Sequence, residues 1–241
     1  MLLNDQIKKL RVFAGPNGSG KTTIINEIRL KYNVGSFVNA DIIQETLNRL
    51  GFLDYSAFCD DFVSSIEWSE FLDICEREVT ETLRTLTISD YHLIISKKLN
   101  SYEAAVIADF FRAKLIKSSN TFSYETVFSH ESKLDFLKLA KKNGFKIYFY
   151  FVCTQDPKIN ISRVKNRVLQ GGHDVGADKI ESRYYRALEL LNKAFLFSDR
   201  AFIIDTSINT GEIILEKNGA NVNILVDEIP EWVNKYLVNY F

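Results

Sequence analysis

The sequence predicts an α/β fold in which helices cover both faces of a largely parallel β-sheet. Short apolar segments, of the kind that form buried strands, alternate along the chain with longer segments of helical periodicity. Hydrophobic residues make up 46% of the 241 residues and charged residues 25%, which suffices for a packed core and argues against disorder. We expect one domain over residues 1–241.

Each element follows from local composition. Apolar runs that stop at glycine or at a polar residue predict strands at KLRVFAG, SFVNAD, TFSYETVF, KIYFYFV and RAFIIDTS. Apolar residues at helical spacing predict helices at KTTIINEIRLKY, DIIQETLNRLG, residues 101–118, HESKLDFLKLAKKNG, DPKINISRVKNRVLQGG and ADKIESRYYRALELLNKAF. Within the C-terminal segment, residues 209–241, KNGAN predicts a hairpin turn and PEWVNKYLVNYF a final amphipathic helix.

Residues 54–99 have a different composition. The segment is acidic at first, shows helical periodicity, and contains neither glycine nor proline. We therefore expect a helical insertion of two or three helices in the α/β framework.

Composition also excludes several classes of function. The formal net charge of −1 argues against a broad nucleic-acid-binding face. Cys59, Cys75 and Cys153 form no CxxC pair and have no histidine at ligand spacing, so they predict no metal cluster. The chain has no apolar h-region at its start and no apolar run of about 18 residues, so we expect a soluble cytoplasmic protein.

A phosphate-binding loop is the most specific motif in the chain. The residues GPNGSGKT match the pattern GxxxxGK[ST] between a predicted strand and a predicted helix. Glycines let backbone N–H groups curve around a phosphate, and the helix N-terminus adds partial positive charge. Lys21, expected as an exposed loop lysine, would reach the β- and γ-phosphates of ATP, and the Thr22 hydroxyl would bind Mg²⁺. The predicted ATP-binding residues are Gly15, Pro16, Asn17, Gly18, Ser19, Gly20, Lys21, Thr22 and Thr23.

This motif refines the fold class to a P-loop NTPase of the nucleoside-kinase type, a three-layer sandwich with a helical insertion and a small C-terminal hairpin and helix. An ABC-type transport ATPase fits less well, because VLQGGHD resembles the required signature only superficially. NILVDE, at 223–228, lies far beyond the last predicted parallel strand, where it is better explained as an edge strand leading into a helix.

Three residues are candidates for the acceptor side of a kinase site. Asp41 follows the second predicted strand, at the edge of a parallel sheet where ligands bind, and either acts as a base or caps the next helix. Glu125 lies in an aromatic strand, where an unpartnered carboxylate is costly, and Thr126 is beside it.

Residues 157–186 form an arginine-rich segment that we interpret as a lid. Arg163 and Arg167 share one helix face, Gly171 and Gly172 permit a turn, and Arg183 lies on the returning helix with Arg186. Cations on a hinged segment can close over a triphosphate; the alternative is a solvated helical hairpin. His173 is equally consistent with a turn-stabilising hydrogen bond and with a phosphate contact.

Taken together, GPNGSGKTT, FVNAD, FSYETVFSH, DPKINISRVKNRVLQGGHDV, KIESRYYRAL and SDRAFIIDTS resemble the zeta toxin family, in the branch labelled predicted ABC-type ATPases. The resemblance covers about residues 9–45 and 100–208. Zeta toxins are P-loop kinases that phosphorylate a sugar hydroxyl of UDP-N-acetylglucosamine, and they are commonly paired with an antitoxin protein.

The resemblance implies a role for each matching residue. It makes Lys21 the P-loop lysine and Asp41 the base at the acceptor hydroxyl. Glu125 and Thr126 become sugar-side or metal-side residues. The arginines after DPKINIS, namely Arg163, Arg167 and Arg183, become the γ-phosphate clamps.

Two departures from the family pattern affect the substrate more than the mechanism. Gly176 stands where members of this branch tend to have proline, which loosens the segment, and the 54–99 insertion falls where a sugar-nucleotide pocket would be. Three hypotheses follow: a kinase of a sugar nucleotide or related small hydroxyl compound, a kinase of a nucleotide or nucleic-acid end, and a non-catalytic ATP-binding regulatory module.

Overall fold

The computed structural model describes residues 7–75, 77–117, 121–172, 174–208 and 211–240. The strands in these ranges are β1 (Lys9–Ala14), β2 (Ser36–Val38), β3 (Phe52–Asp54), β4 (Thr87–Ser89), β5 (His92–Ile94), β6 (Phe122–Thr126), β7 (Lys146–Cys153), β8 (Arg200–Asp205), β9 (Glu212–Asn218) and β10 (Asn221–Ile224). The helices are α1 (Lys21–Lys31), α2 (Ala40–Leu50), α3 (Ser65–Asp73), α4 (Glu81–Arg84), α5 (Ser101–Leu115), α6 (Ser132–Lys142), α7 (Pro157–Leu169), α8 (Ala177–Phe197) and α9 (Glu231–Tyr236), with a final 3₁₀ turn at Val238–Tyr240.

The chain folds into two compact units, although the sequence suggested a single domain. The first unit combines residues 1–34 with residues 125–241, and the second comprises residues 35–124. None of the helices in the described ranges combines the length and the apolar character that crossing a membrane requires.

The first unit is built on a sheet whose centre is parallel. β7 pairs in parallel with β1 on one side and with β8 on the other. Its sequence KIYFYFVC is apolar on both faces, as a central strand requires, and residues 149–153 are buried. The predicted α/β class with a largely parallel sheet is therefore confirmed.

The C-terminal segment extends this sheet in the antiparallel direction. β9 pairs with β8, and β10 folds back on β9 through a two-residue turn at Gly219 and Ala220. Gly219 has a φ of 61°, the left-handed conformation that such a turn needs. The predicted hairpin is thus present, and NILVDE contributes to the exposed edge strand β10.

The second unit contains β2, the first residues of β6, and the helices α2 and α5. β2 pairs in parallel with β6, and Gln44 and Asn48 of α2 donate to the Leu99 carbonyl oxygen, just before α5, at 3.0 and 2.9 Å. Helix α5 begins with a capping box between Asn100 and Glu103.

The 54–99 insertion is only partly helical, which corrects the sequence prediction. Helices α3 and α4 are present, but β3, β5 and β4 form a small antiparallel sheet that takes up the remainder. The β4–β5 turn falls at Asp90 and Tyr91, whose φ angles are 45° and 64°. The β-branched residues of TLTIS and LIIS favour strands. The hairpin was not predicted because its tight turn contains no glycine, the usual signal of such a turn.

Candidate functional site

The phosphate-binding loop has the conformation that its sequence predicts. β1 ends at Ala14, and α1 begins at Lys21 without a side-chain cap, so the loop between them enters an uncapped helix N-terminus. Gly18 has a φ of 77°, and a Cβ atom there would lie 2.5 Å from the Asn160 carbonyl oxygen. Gly15 has a φ of 145°, and its Cβ would overlap the Val152 carbonyl oxygen. Only glycine fits either position, and the result is a concave loop suited to an anion.

Lys21 lies against the inside of the loop. Its Nζ atom donates to the carbonyl oxygens of Gly15 and Pro16, both at 2.9 Å. The Glu125 carboxylate lies 3.6 Å from the same Nζ atom. The lysine is 7% exposed, so the expectation of an exposed side chain was wrong. A buried ammonium group requires such partners, because an isolated charge is costly to desolvate.

β6 brings the predicted acceptor-side pair Glu125 and Thr126 to this loop. The Thr126 carbonyl oxygen accepts from the Gly15 N–H group at 3.2 Å, and its hydroxyl accepts from the Phe128 N–H group at 3.2 Å. Burial lowers the pKa of Arg29 on α1, and the nearby Glu125 carboxylate opposes that shift. Glu125 therefore has a cationic neighbourhood that includes Lys21 and Arg29.

Thr206, which directly follows β8, contacts the phosphate-binding loop. The Thr206 hydroxyl donates to the Ser19 carbonyl oxygen at 2.8 Å. Arg163 of α7 donates to the Thr206 carbonyl oxygen at 2.6 Å and to its hydroxyl at 3.3 Å. Arg163 thus stabilises Thr206, which in turn hydrogen-bonds to Ser19 of the loop. A contact of Arg163 with a γ-phosphate stays a prediction.

Helices α7 and α8 both reach the loop at Asn17. The side-chain amide of Asn160 donates to the Asn17 carbonyl oxygen at 2.7 Å. Arg183 Nη1 lies 3.4 Å from Asn17 Oδ1. Arg167 is exposed on α7, and Arg186 donates to Ser182 of its own helix. Arg183 thus contacts the phosphate-binding loop through Asn17.

Asp41 and His173 complete the set of predicted site residues. Asp41 is exposed in the second unit, on the first turn of α2. Asn39, not Asp41, caps this helix, because its side chain accepts from the N–H groups of Asp41 and Ile42 at 2.8 and 3.2 Å. The Asp41 carboxylate is therefore not the cap of this helix, and its role as the base stays a prediction. His173 lies outside the described residues.

Thr22, the predicted protein ligand of a magnesium ion, is accessible. Thr22 is exposed on the first turn of α1. The described residues contain no group of three or more His, Cys, Asp and Glu side chains suited to a metal. A P-loop site does not need one, because Mg²⁺ takes one or two protein ligands and completes its shell with phosphate oxygens and water. The Thr22 hydroxyl fits that pattern.

Sequence reasoning missed Asn160 and Thr206, which contact the phosphate-binding loop, and Thr154, whose hydroxyl donates to Asn160 Oδ1. Asn160 lies on the buried face of α7 together with Pro157 and Val164, and it is fully buried. A polar residue at a core position of an amphipathic helix was the available signal, because such a residue needs a hydrogen-bond partner. Thr206 and Thr154 gave no comparable signal.

The parallel sheet and the phosphate-binding loop together define a P-loop protein, and solved structures with a similar fold can be compared with it. The AvrRxo1-ORF1:AvrRxo1-ORF2 complex with sulphate ions has a TM-score of 0.58 and 13% identity, covering 95% of this chain and 63% of that chain. A structure from the PezAT chromosomal toxin-antitoxin system of Streptococcus pneumoniae has a TM-score of 0.53 and 13% identity, covering 98% and 81%. This chain therefore shares its fold with these two proteins.

Sequence comparison adds one relative. An uncharacterised protein of Haemophilus influenzae is 35% identical over 69 residues, which are 29% of this chain and 49% of that protein. The chain thus matches about half the length of this curated relative. No family model matches the chain.

Proposed function

We propose that the protein is an ATP-dependent kinase that transfers the γ-phosphoryl group of ATP to a hydroxyl group of a small molecule. The observation that carries this proposal is the loop of residues 15–20, which has Lys21 folded against its carbonyl oxygens and Arg183 at Asn17. Two cations from separate helices thus converge on one anion-binding loop, as transfer of a phosphoryl group requires. A similar fold has been solved with ATP, in the AvrRxo1-ORF1:-ORF2 complex.

We further propose a sugar nucleotide, such as UDP-N-acetylglucosamine, as the acceptor. This step rests on the zeta toxin-like motifs around Asp41, Glu125 and Thr126. An antitoxin protein is the corresponding partner, supported by similarity to a structure from a toxin-antitoxin system.

The mechanism assigns one task to each residue. Asp41 accepts the proton of the acceptor hydroxyl, whose oxygen attacks the γ-phosphorus while the bond to the β–γ bridging oxygen breaks and ADP leaves. Lys21 leaves the Gly15 and Pro16 carbonyl oxygens to meet the β- and γ-phosphate oxygens, and the lid arginines balance the charge on the transferring group. Mg²⁺, bound with the Thr22 hydroxyl, would supply charge neutralisation across the same phosphates.

Incubating the purified protein with γ-labelled ATP and a panel of acceptors tests the proposal. We expect label to appear on a sugar nucleotide and not on nucleoside monophosphates or on 5′-hydroxyl oligonucleotides. Label on either of the last two would favour the nucleotide or nucleic-acid-end kinase. ATP binding without transfer to any acceptor, or to water, would favour a non-catalytic regulatory module.

Replacing Asp41 by asparagine should abolish transfer and preserve ATP binding. Asn39 caps α2, so the substitution removes no capping interaction and should change the free energy of unfolding by no more than about 0.5 kcal/mol. Single-turnover rates and ATP titration measure the two effects, and Glu45→Gln, an exposed carboxylate on the same helix, is the matched control. An Asp41→Asn protein with wild-type turnover would exclude Asp41 as the base.

A further inference from the structure

A buried polar chain connects α8 with the phosphate-binding loop, outside the set of residues that the mechanism uses. The Tyr184 hydroxyl, on α8, donates to the Thr154 carbonyl oxygen at 2.6 Å. The Thr154 hydroxyl donates to Asn160 Oδ1, and Asn160 Nδ2 donates to the Asn17 carbonyl oxygen at 2.7 Å. We call Tyr184, Thr154 and Asn160 the relay.

The relay is buried along its whole length. Thr154 and Asn160 are fully buried, and Tyr184 is 2% exposed. Hydrogen bonds in such surroundings are stronger than in water, and a buried group left unpaired is correspondingly costly. Water cannot easily replace a lost partner, so the relay should hold its members in one arrangement.

The direction of the hydrogen bonds is determined by chemistry. A hydroxyl that donates to the Asn160 side chain must face its carbonyl oxygen, which turns the amide nitrogen toward Asn17. Burial raises the pKa of the Tyr184 hydroxyl, so this group remains a donor at neutral pH. Each member of the relay thus fixes the orientation of the next.

Asn17 is consequently held from two sides by adjacent residues of one helix. Arg183 lies 3.4 Å from its side-chain oxygen, and Tyr184, the next residue of α8, acts on its carbonyl oxygen through the relay. The backbone of Asn160 also contacts the loop directly, because Gly18 packs against its carbonyl oxygen. A displacement of α8 should therefore change the positions of Asn17 and Gly18 in the phosphate-binding loop.

We propose that Tyr184, Thr154 and Asn160 are positioning residues that set the conformation of the phosphate-binding loop according to the position of α8. The proposal rests on the proposed kinase function for its catalytic meaning, but the loop conformation itself can be measured without nucleotide. Preorganising a binding loop raises affinity because less ordering remains to be done on binding.

The test uses uncharged, nearly isosteric variants, which leave the charge around the phosphate site unchanged. Tyr184→Phe removes the hydroxyl that ties α8 to Thr154, and Thr154→Val removes the donor to Asn160. Tyr185→Phe is the matched control, because Tyr185 is the neighbouring tyrosine and its hydroxyl does not belong to the relay. Hydrogen exchange at the amides of residues 17–20 in the nucleotide-free protein is the first measurement.

We expect faster exchange at these amides in Tyr184→Phe and Thr154→Val, and wild-type exchange in Tyr185→Phe. In ATP titrations both relay variants should show a dissociation constant raised by about three- to tenfold, the range for one lost buried hydrogen bond. The double variant should lose less than the product of the two single losses, because the two hydrogen bonds act in series.

Two results would overturn the proposal. Unchanged exchange at residues 17–20 in both folded variants, even with a lower melting temperature, would make the relay a purely structural network. An equal effect of Tyr185→Phe would show that the change does not depend on the hydroxyl of Tyr184. If the wild-type protein phosphorylates no acceptor, the proposed kinase function is refuted, but the hydrogen-exchange result still tests the relay. Failure of the kinase proposal and failure of the relay proposal are therefore distinguishable.

Discussion

Lys21→Ala should remove nearly all phosphoryl transfer. Lys21 is the cation at the centre of the phosphate-binding loop, where its Nζ atom lies against two loop carbonyl oxygens. Loss of one preorganised donor that stabilises transition-state charge typically costs about 10²–10³ in turnover, and a cation facing two phosphates should reach at least that range. Steady-state kinetics at saturating ATP measure the effect.

The same variant should also be less stable, which an exposed lysine would not have implied. Removing the ammonium group takes from Glu125 an ion-pair partner at 3.6 Å and leaves a gap inside the loop. We expect a decrease of about 1–3 kcal/mol in the free energy of unfolding. Lys21→Met keeps most of the side-chain volume, so it separates the effect of the lost charge from that of the lost packing. Lys31→Ala is the control, because Lys31 is an exposed lysine of the same helix. Full turnover in folded Lys21→Met would refute the P-loop assignment.

The sequence was sufficient for those parts of the fold whose determinants are local. The loop of residues 15–20 needs glycine at Gly15 and Gly18, and KNGAN needs Gly219 in a left-handed conformation, so both could be recognised from neighbouring residues alone. The β4–β5 hairpin was missed because Asp90 and Tyr91 form its turn without a glycine.

The candidate site was predictable where a motif names the residue and unpredictable where the role depends on tertiary contacts. Lys21 and Arg183 contact the loop, and their roles in phosphate binding stay predictions. The bonding of Arg163 to Thr206, and of Asn160 to Asn17, joins residues 43 and 143 positions apart in the sequence. Spacing within one helix, which suggested that Arg163 and Arg167 act alike, gives no information about contacts of that range.

Arg183→Ala should reduce turnover far more than it reduces ATP affinity. Arg183 contacts the loop through Asn17, and it lies on α8, the helix that returns after the Gly171–Gly172 turn. If it meets the γ-phosphate after closure, it acts mainly in the transition state, and only such interactions raise the rate of the chemical step. Arginine fingers are worth roughly 10³–10⁵ in rate, which corresponds to about 4–7 kcal/mol.

Three further variants make the test specific for a guanidinium group at this position. Arg183→Lys should restore little activity, because a point ammonium cannot form the bidentate contact with phosphate oxygens. Arg186→Ala, three residues along the same helix, should be close to wild type, since the Arg186 side chain bonds to Ser182 of its own helix. Arg167→Ala tests whether the lid closes, because Arg167 is exposed on α7 in this structure. A loss of turnover comparable to that of Arg183→Ala would mean that the lid moves before phosphoryl transfer. Wild-type turnover at saturating ATP in both Arg183→Ala and Arg167→Ala would make these two arginines surface charges and would refute the interpretation of residues 157–186 as a lid.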